Sequence, residues 1–299
     1  MRIVHDCDPG HDDAIAILLA AGHPECDLRA ITTVAGNAPL DAVTLNARRV
    51  MTLAGLRDVP LAAGAAGPLR GRLVTAAEIH GESGLDGPVL PEPEIDVDPR
   101  PAVDLLEASL PATLVATGPL TNVAQLLERT PRAVEEIVWM GGSCGRGNVR
   151  PYAEFNAFVD PEAAAAVFAS GVRVTMVGLD LTHQAPATPE IFARLRALGT
   201  EVARIVADWL EAFAAGYRNV FGLPGPPLHD PCALALALDP ALATCVDAFV
   251  AVETAGEWTR GATVVDLHGR LGREPNSRVA RQLDVPRFWD MLIGAIAAL

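Results

Sequence analysis

Residues 1–22 read MRIVHDCDPGHDDAIAILLAAG. The stretch opens on a short apolar run and closes on a longer one, with a Pro-Gly turn between them set in acid. Isoleucine and valine beside the first turn suit a pleated strand, here over Arg2–His5, and the Ala/Ile/Leu run suits a helix over Asp13–Gly22. Pro9 and Gly10 supply the sharp reversal between them. A strand feeding a helix through a tight turn is the opening unit of a parallel α/β sheet.

The same alternation continues outward. Strands are predicted at Leu28–Val34, Ala112–Ala116, Ile137–Met140 and Val172–Val177. Helices are predicted at Pro39–Leu56, Ala102–Ser109, Asn122–Arg129, Pro161–Ser170, 190–221, 231–238 and Pro286–Ala298. Residues 64–101 are rich in Gly and Pro and read as a long loop, and 246–285 hold strand-like pieces, FVAVET and ATVVDL. This pattern predicts an α/β fold with an open, mostly parallel central sheet and helices on both faces. No linker divides the chain, so 1–299 is read as one catalytic domain with long functional loops. In such sheets ligands sit beyond the C-terminal strand ends.

Composition narrows the chemistry. There are 37 acidic residues against 23 basic ones, a net charge of −14. All the basic residues are Arg, because the chain contains no Lys. That excludes mechanisms built on a lysine, such as Schiff-base chemistry or a P-loop. The acidity argues against nucleic acid or an anionic membrane as partner, since both need clustered positive charge. The scattered Cys7, Cys26, Cys144, Cys232 and Cys245 form no CxxC pair. With no signal-peptide layout at the start, they point to a cytoplasmic protein. The apolar run after the acidic turn is far shorter than the roughly 18–20 residues that span a bilayer.

Asp6, Asp8, Asp12 and Asp13 are crowded into eight residues. Carboxylates so close repel one another unless a cation lies between them, and an oxygen-rich set suits a hard divalent ion. Capping of the following helix accounts for one or two of these residues, not four. Other polar residues follow later strands: Asn37, Thr117, Glu154, Asn156, His229 and Asp230. Each has an ordinary explanation alone, as a turn residue, a cap or a structural histidine. Their recurrence at strand ends is what points to a site.

The ordered motifs DCDPGHDDA, ITTVAGN, HGESG, TGPLTN, MGG, AEFN, DPEAA, VGLDLTH and HDP resemble the nucleoside hydrolases of the inosine–uridine-preferring type, over practically the whole chain. The resemblance implies a Rossmann-like nucleoside hydrolase fold, a bound Ca²⁺, and hydrolysis of ribonucleosides to ribose and free base. It also implies homodimers or homotetramers. It assigns Asp8, Asp13, the Thr117 carbonyl and Asp230 to the metal, and makes Asp8 the general base toward a Ca-bound water. Asp12, Asn37, Asn156 and Asp230 would grip the ribose 2′- and 3′-hydroxyls. Met140, Asn148 and Glu154 would meet the 5′ end, with Asp6 supporting the cluster from behind. His80 would lie near the base, with His229 as the main proton donor to the leaving base and Tyr217 as a second.

These residue types suit the chemistry. Cleaving an N-glycosidic bond builds positive charge on the sugar, which carboxylates stabilise. It needs an activated water and a proton for the departing base, and a histidine titrating near neutrality can supply that proton. Attack from the face opposite the base predicts inversion. His229 beside Asp230 resembles the nonspecific or inosine–uridine group, whereas Trp precedes that Asp in the purine-specific group. The segment 213–228, with Phe213, Tyr217, Arg218 and Phe221, would face the base and leaves the choice of purine or pyrimidine open. Trp209 reads as core and Cys7 as a small buried apolar residue. Loops 75–87 and 217–228 are lid candidates. Three other readings compete. A haloacid-dehalogenase-type phosphatase also starts Asp-x-Asp, but it needs a lysine. A non-catalytic nucleoside or ribose binder would keep the fold without turnover. The same chemistry on a modified nucleoside or ribosylated precursor is the third.

Overall fold

A computed structural model describes residues 1–130, 134–221 and 225–299, with side chains throughout except over 215–221. The opening unit forms as β1 (Arg2–Cys7), α1 (His11–Gly22) and β2 (Asp27–Thr33), followed by α2 (Leu40–Leu53) and β3 (Leu61–Ala63). Next come α3 (Ala77–His80), α4 (Ala102–Ser109), β4 (Thr113–Ala116), α5 (Thr121–Arg129) and β5 (Glu136–Met140). Then follow α6 (Phe155–Val159), α7 (Pro161–Ala169), β6 (Arg173–Val177), α8 (Leu179–Thr182), α9 (Pro189–Ala197) and α10 (Glu201–Phe221). The chain closes with α11 (Asp230–Leu238), β7 (Ala243–Val252), β8 (Thr263–Asp266), β9 (Ser277–Leu283) and α12 (Val285–Ala297).

Among the described residues the strands make one sheet in the order β3-β2-β1-β4-β5-β6-β9-β7-β8. Pairings from β3 across to β9 are parallel, while β7 pairs antiparallel with both β9 and β8. Strand alternation feeds two cores. Ile3, Val115, Val138 and Val177 face one, with α1, α2, α10, α11 and α12. Val4, Leu114, Ile137 and Val174 face the other, with α4, α5 and α7. The expected α/β sheet covered on both faces is therefore present. Helix α1 packs against α2, α11 and α12 as well as the sheet, so residues His11 to Ala20 are all buried. That enclosure explains why it is apolar all round rather than amphipathic.

Several boundaries differ from the sequence reading. The predicted helix 190–221 is two helices, α9 and α10, parted at Gly199, which takes φ +71°. The predicted loop 64–101 contains α3 and is tied back to β3 by a bridge between Leu61 and Val97. Strand β9, SRVARQL, alternates too weakly to be read as a strand, yet it joins the parallel region to β7. Among the described residues no helix is long and apolar enough to cross a membrane.

The chain runs β1, β2, β3 outward and then returns to the other side of β1 as β4. That reversal opens a crevice beyond the C-terminal ends of β1 and β4, the favoured ligand position in an open α/β sheet.

Candidate active site

Asp8 follows β1 directly and Thr117 follows β4, and the two strand ends are laced by a Thr117 N–H donating to the Asp6 carbonyl at 2.9 Å. The turn at Pro9-Gly10 swings the chain so that Asp13 faces back. Its carboxylate accepts from the Asp8 and Gly10 amides at 3.3 and 3.1 Å and from the Thr117 hydroxyl at 2.7 Å. Asp13 thus also does the work of a helix cap. Asn37, beyond β2, donates its backbone N–H to Asp8 Oδ2 at 2.7 Å and its side-chain amide to Asp13 Oδ2 at 3.2 Å. Two glycines permit this crowding. A Cβ on Gly36 would sit 2.0 Å from Asp8 Oδ2, and one on Gly10 would sit 2.8 Å from His80 Nδ1.

Asp230, the first residue of α11, completes the group. Oxygens of Asp12, Asp13 and Asp230 lie within 4.8 Å of one another, all buried. Asp8 Oδ1 is buried with no hydrogen-bond partner among the described residues. No ion pair among the described residues reaches these carboxylates, since the arginine ion pairs are made with other acids. Burial, followed by repulsion from its neighbours, drives the Asp8 carboxyl well above the usual range. Burial, then Asp13, raises Asp12 to about 7. Asp13 is raised by burial, and Asp230 well above its usual range by burial and then by Asp12. Packed carboxylates and a bare oxygen, with no arginine ion-paired to them among the described residues, suit a divalent cation. Asp12, Asp13 and Asp230, whose oxygens converge, could hold one.

Above this floor lies a cavity of about 560 Å³, lined by Asp12, Asn37, His80, Thr117, Met140, Asn148, Glu154, Asn156, Phe213, His229 and Asp230 among others. The structure therefore brings the predicted residues from seven chain segments to one place. Asp6, Asp8 and Asp13 are buried and do not line it. The side chain of Tyr217 lies outside the described residues, as do those of Arg218 and Phe221.

Some residues are spent in ways the motifs do not show. Glu154 caps α6, accepting backbone N–H bonds from Gly142, Asn156 and Ala157 at 2.8, 2.9 and 3.1 Å, while burial raises its carboxyl to about 7. Asn156 donates Nδ2 to the Thr117 and Met140 carbonyls at 2.8 and 3.0 Å, which leaves its amide oxygen to accept from a ligand. Asn148 accepts the Phe155 amide at 2.9 Å. His229 Nδ1 is 2.8 Å from the Thr182 hydroxyl. Burial pulls His229 down to about 3, with His183 adding to the shift, so the expected titration near neutrality does not hold. Cys7 is fully buried, and burial and Asp13 raise its thiol well above the ordinary range, which suits an inert packing residue. Trp209 is core, also fully buried.

The sequence reading missed His5, Thr32 and Asn122. Asp6 accepts from Thr32 Oγ1 at 2.6 Å and from Asn122 Nδ2 at 2.8 Å, and His5 Nε2 meets Thr117 Oγ1 at 2.9 Å. Thr32 and Asn122 lie inside the quoted motifs ITTVAGN and TGPLTN, which is the signal that could have found them. Loop 75–87 is pinned at several points. Ala76 donates to the Asn37 carbonyl at 3.0 Å, and Asn46 donates to the Ser83 carbonyl at 2.9 Å.

Residues 3–290 match the model of the inosine-uridine preferring nucleoside hydrolases. The chain belongs to that family. It is accordingly a hydrolase of nucleoside N-glycosidic bonds. It is 48% identical to the pyrimidine-specific ribonucleoside hydrolase RihA of Citrobacter koseri, over 99% of this chain and 98% of the relative. It is also 48% identical to the RihA of Shewanella woodyi, over 97% and 96%. Among solved structures, the purine-preferring ribonucleoside hydrolase from Gardnerella vaginalis superposes with a TM-score of 0.92 at 32% identity, covering 99% of this chain and 98% of that one. The nucleoside hydrolase fold thus extends over the whole chain, and the acidic cavity lies at the crevice its sheet creates.

Proposed function

We propose that this nucleoside hydrolase, acting as one catalytic domain over 1–299, releases ribose and the free base from pyrimidine ribonucleosides. The observation that carries the catalytic reading is the bare, buried Asp8 Oδ1 among Asp12, Asp13 and Asp230 on the floor of a nucleoside-sized cavity. The preference for pyrimidines is supported by the 48% identity to relatives named pyrimidine-specific, against 32% to the purine-preferring structure.

In this reading Asp8, Asp13, Asp230 and the Thr117 carbonyl hold Ca²⁺. A calcium ion there offsets the mutual repulsion of the carboxylates and makes a neighbouring water more acidic. Asp8 takes the proton of the attacking water at Oδ1, while the Asn37 amide holds Oδ2 and so fixes the plane of the carboxylate. Asp12, Asn37, Asn156 and Asp230 bind the ribose 2′- and 3′-hydroxyls, Asn156 through its remaining oxygen. Met140, Asn148 and Glu154 receive the 5′ end, and Asp6 supports Asp8 and Asp13 from below. The ring of carboxylates supplies negative potential where the sugar becomes cationic. His229, neutral in its buried setting, donates an N–H toward the departing base, held by Thr182 at Nδ1. Tyr217 is the second donor. A site made to bind hydroxyls leaves buried partners unpaired when one is missing, so 2′-deoxynucleosides are rejected by up to about 10⁴-fold.

The test is reducing-sugar release from uridine, cytidine, inosine, adenosine and their 2′-deoxy forms, before and after stripping the metal. Turnover of uridine and cytidine, lost on stripping and restored by Ca²⁺, is expected. Binding of nucleosides without any release of ribose would overturn the reading.

A further inference from the structure

We propose that this chain pairs with a second copy of itself through one face, formed by loops 67–74 and 146–152 and by the turn 253–260 between β7 and β8. The three segments share a footing, the short stretch from α6 into α7. Leu69 donates its backbone N–H to Asp160 Oδ2 at 2.7 Å. The Arg150 guanidinium lies 5.3 Å over the Phe158 ring. Arg260 pairs with Glu162 at 2.7 Å, and a Cβ on the adjoining Gly261 would sit 2.7 Å from the Phe158 Cα. Segments far apart in sequence are thus neighbours on the surface.

That face exposes what a water-facing surface normally hides. Trp139, Trp209 and Trp289 are buried in the core, but Trp258 is 78% exposed. Tyr152, Leu69 and Val74 are 56%, 43% and 41% exposed on the same three segments. Single apolar residues at a surface are ordinary, whereas several on loops with one footing make a patch. Tryptophan, tyrosine and arginine are the residues that anchor protein interfaces, since each buries a large area and keeps a polar group for its partner.

The charges on the face select the partner. Arg70, Arg72, Arg146 and Arg150 are exposed and make no ion pair among the described residues, although acid outnumbers base 37 to 23 in the chain. The turn between β7 and β8 carries the opposite sign. Its Glu257, beside Trp258, is exposed and in no ion pair among the described residues. Glu253 shapes the turn by accepting the Ala255 and Gly256 amides at 2.8 and 3.0 Å. A face with a basic part and an acidic part complements itself when turned about a two-fold axis. The Glu257–Trp258 tip of each copy then meets the arginine loops of the other. A foreign acidic partner would satisfy the arginines but set its own acid against Glu257. Loop 67–74 runs on into the cavity wall at Thr75, and loop 146–152 contains its Asn148 and Val149, so the pairing face lies beside the mouth of the site. Pairing here does not depend on what the cavity hydrolyses.

The test is sedimentation velocity on the full chain and its variants at micromolar concentration, with circular dichroism to establish that each is folded. The parent should sediment as a dimer, or as an even-numbered assembly built from it. Trp258→Ala should raise the dissociation constant of the pair by about thirtyfold or more. Arg150→Glu and Glu257→Arg should each raise it by about tenfold or more, because like charges then meet across the axis. The chain carrying both charge reversals should recover most of that loss, since opposite charges face each other again. Such recovery distinguishes a contact between copies from damage to the fold, which a second substitution would deepen. A parent that sediments as a single chain overturns the proposal and leaves the face to an unlike partner. Changes below about twofold in all three single variants also overturn it, because the copies then meet elsewhere. A double reversal that pairs no better than either single one contradicts the two-fold arrangement.

Discussion

At the scale of single residues, the site is built by hydrogen bonds that restrain like charges. Asn122 shows the economy of this. Its amide nitrogen serves Asp6 and the Thr33 carbonyl, at 2.8 and 3.0 Å, and its oxygen accepts the Ala65 amide at 2.9 Å. Asn122→Ala removes three hydrogen bonds at once, two of them to the buried Asp6 carboxylate and Thr33 carbonyl, so a loss of roughly 2–4 kcal/mol in urea unfolding is expected, well above a surface substitution. A change below about 0.5 kcal/mol would show that these bonds do not matter. At Gly36 a Cβ would overlap the Asp8 carboxylate. Gly36→Ala should therefore lower kcat sharply by tilting that group, even where the fold survives, and kcat within about twofold of the parent would contradict this. The carboxylates of the site were legible as DCDPGHDDA because charge crowding shows in one dimension. The partners of His11, within the same nine residues, were not. They are Asp86 and His80, brought beside it only by the fold.

At the scale of elements, the first unit was readable because each local signal agreed: β-branched residues, a Pro-Gly turn, then a helix-forming run. Strand β9 was not, because SRVARQL carries two arginines and a glutamine, and its place as a strand comes from lying between β6 and β7. The break between α9 and α10 was hidden for a related reason. Helical periodicity runs on across Leu198-Gly199-Thr200, and only the left-handed conformation of Gly199 ends it. Any Cβ at Gly199 meets open space, so the cost of Gly199→Ala is purely conformational. A destabilisation of about 1–2 kcal/mol with unchanged kcat is expected, measured by urea unfolding and steady-state assay. A stabilised variant would mean that the two helices prefer to be one.

At the scale of the whole molecule, the acidity of the chain has two parts. Most of the −14 charge is spread over the surface, but Asp6, Asp8, Asp12, Asp13, Glu154 and Asp230 are buried together. Burial raises Asp6, Asp12 and Glu154 to about 7, from ordinary values of 3.8, 3.8 and 4.5. Between those ordinary values and about 7, the folded metal-free chain holds more protons than the unfolded one. Its stability is therefore highest at the acid end of that window and falls as pH rises through it. A bound cation reverses the balance by displacing those protons. Metal-stripped protein should melt lower near pH 8 than near pH 5, and Ca²⁺ should raise its Tm more at the higher pH. A Ca²⁺ shift that is equal at both would contradict a cation seated among these carboxylates.

The central claim is that Asp8, beside that cation, takes the proton from the water that attacks the sugar. The most direct measurement is kcat for uridine with Asp8→Asn, alongside circular dichroism to establish that the variant is folded. Asparagine keeps the shape and can still meet the Asn37 amide through its oxygen, but it cannot accept the proton. A folded variant whose kcat falls by about 10³-fold or more is predicted. A folded variant that keeps kcat within about tenfold of the parent would contradict the account.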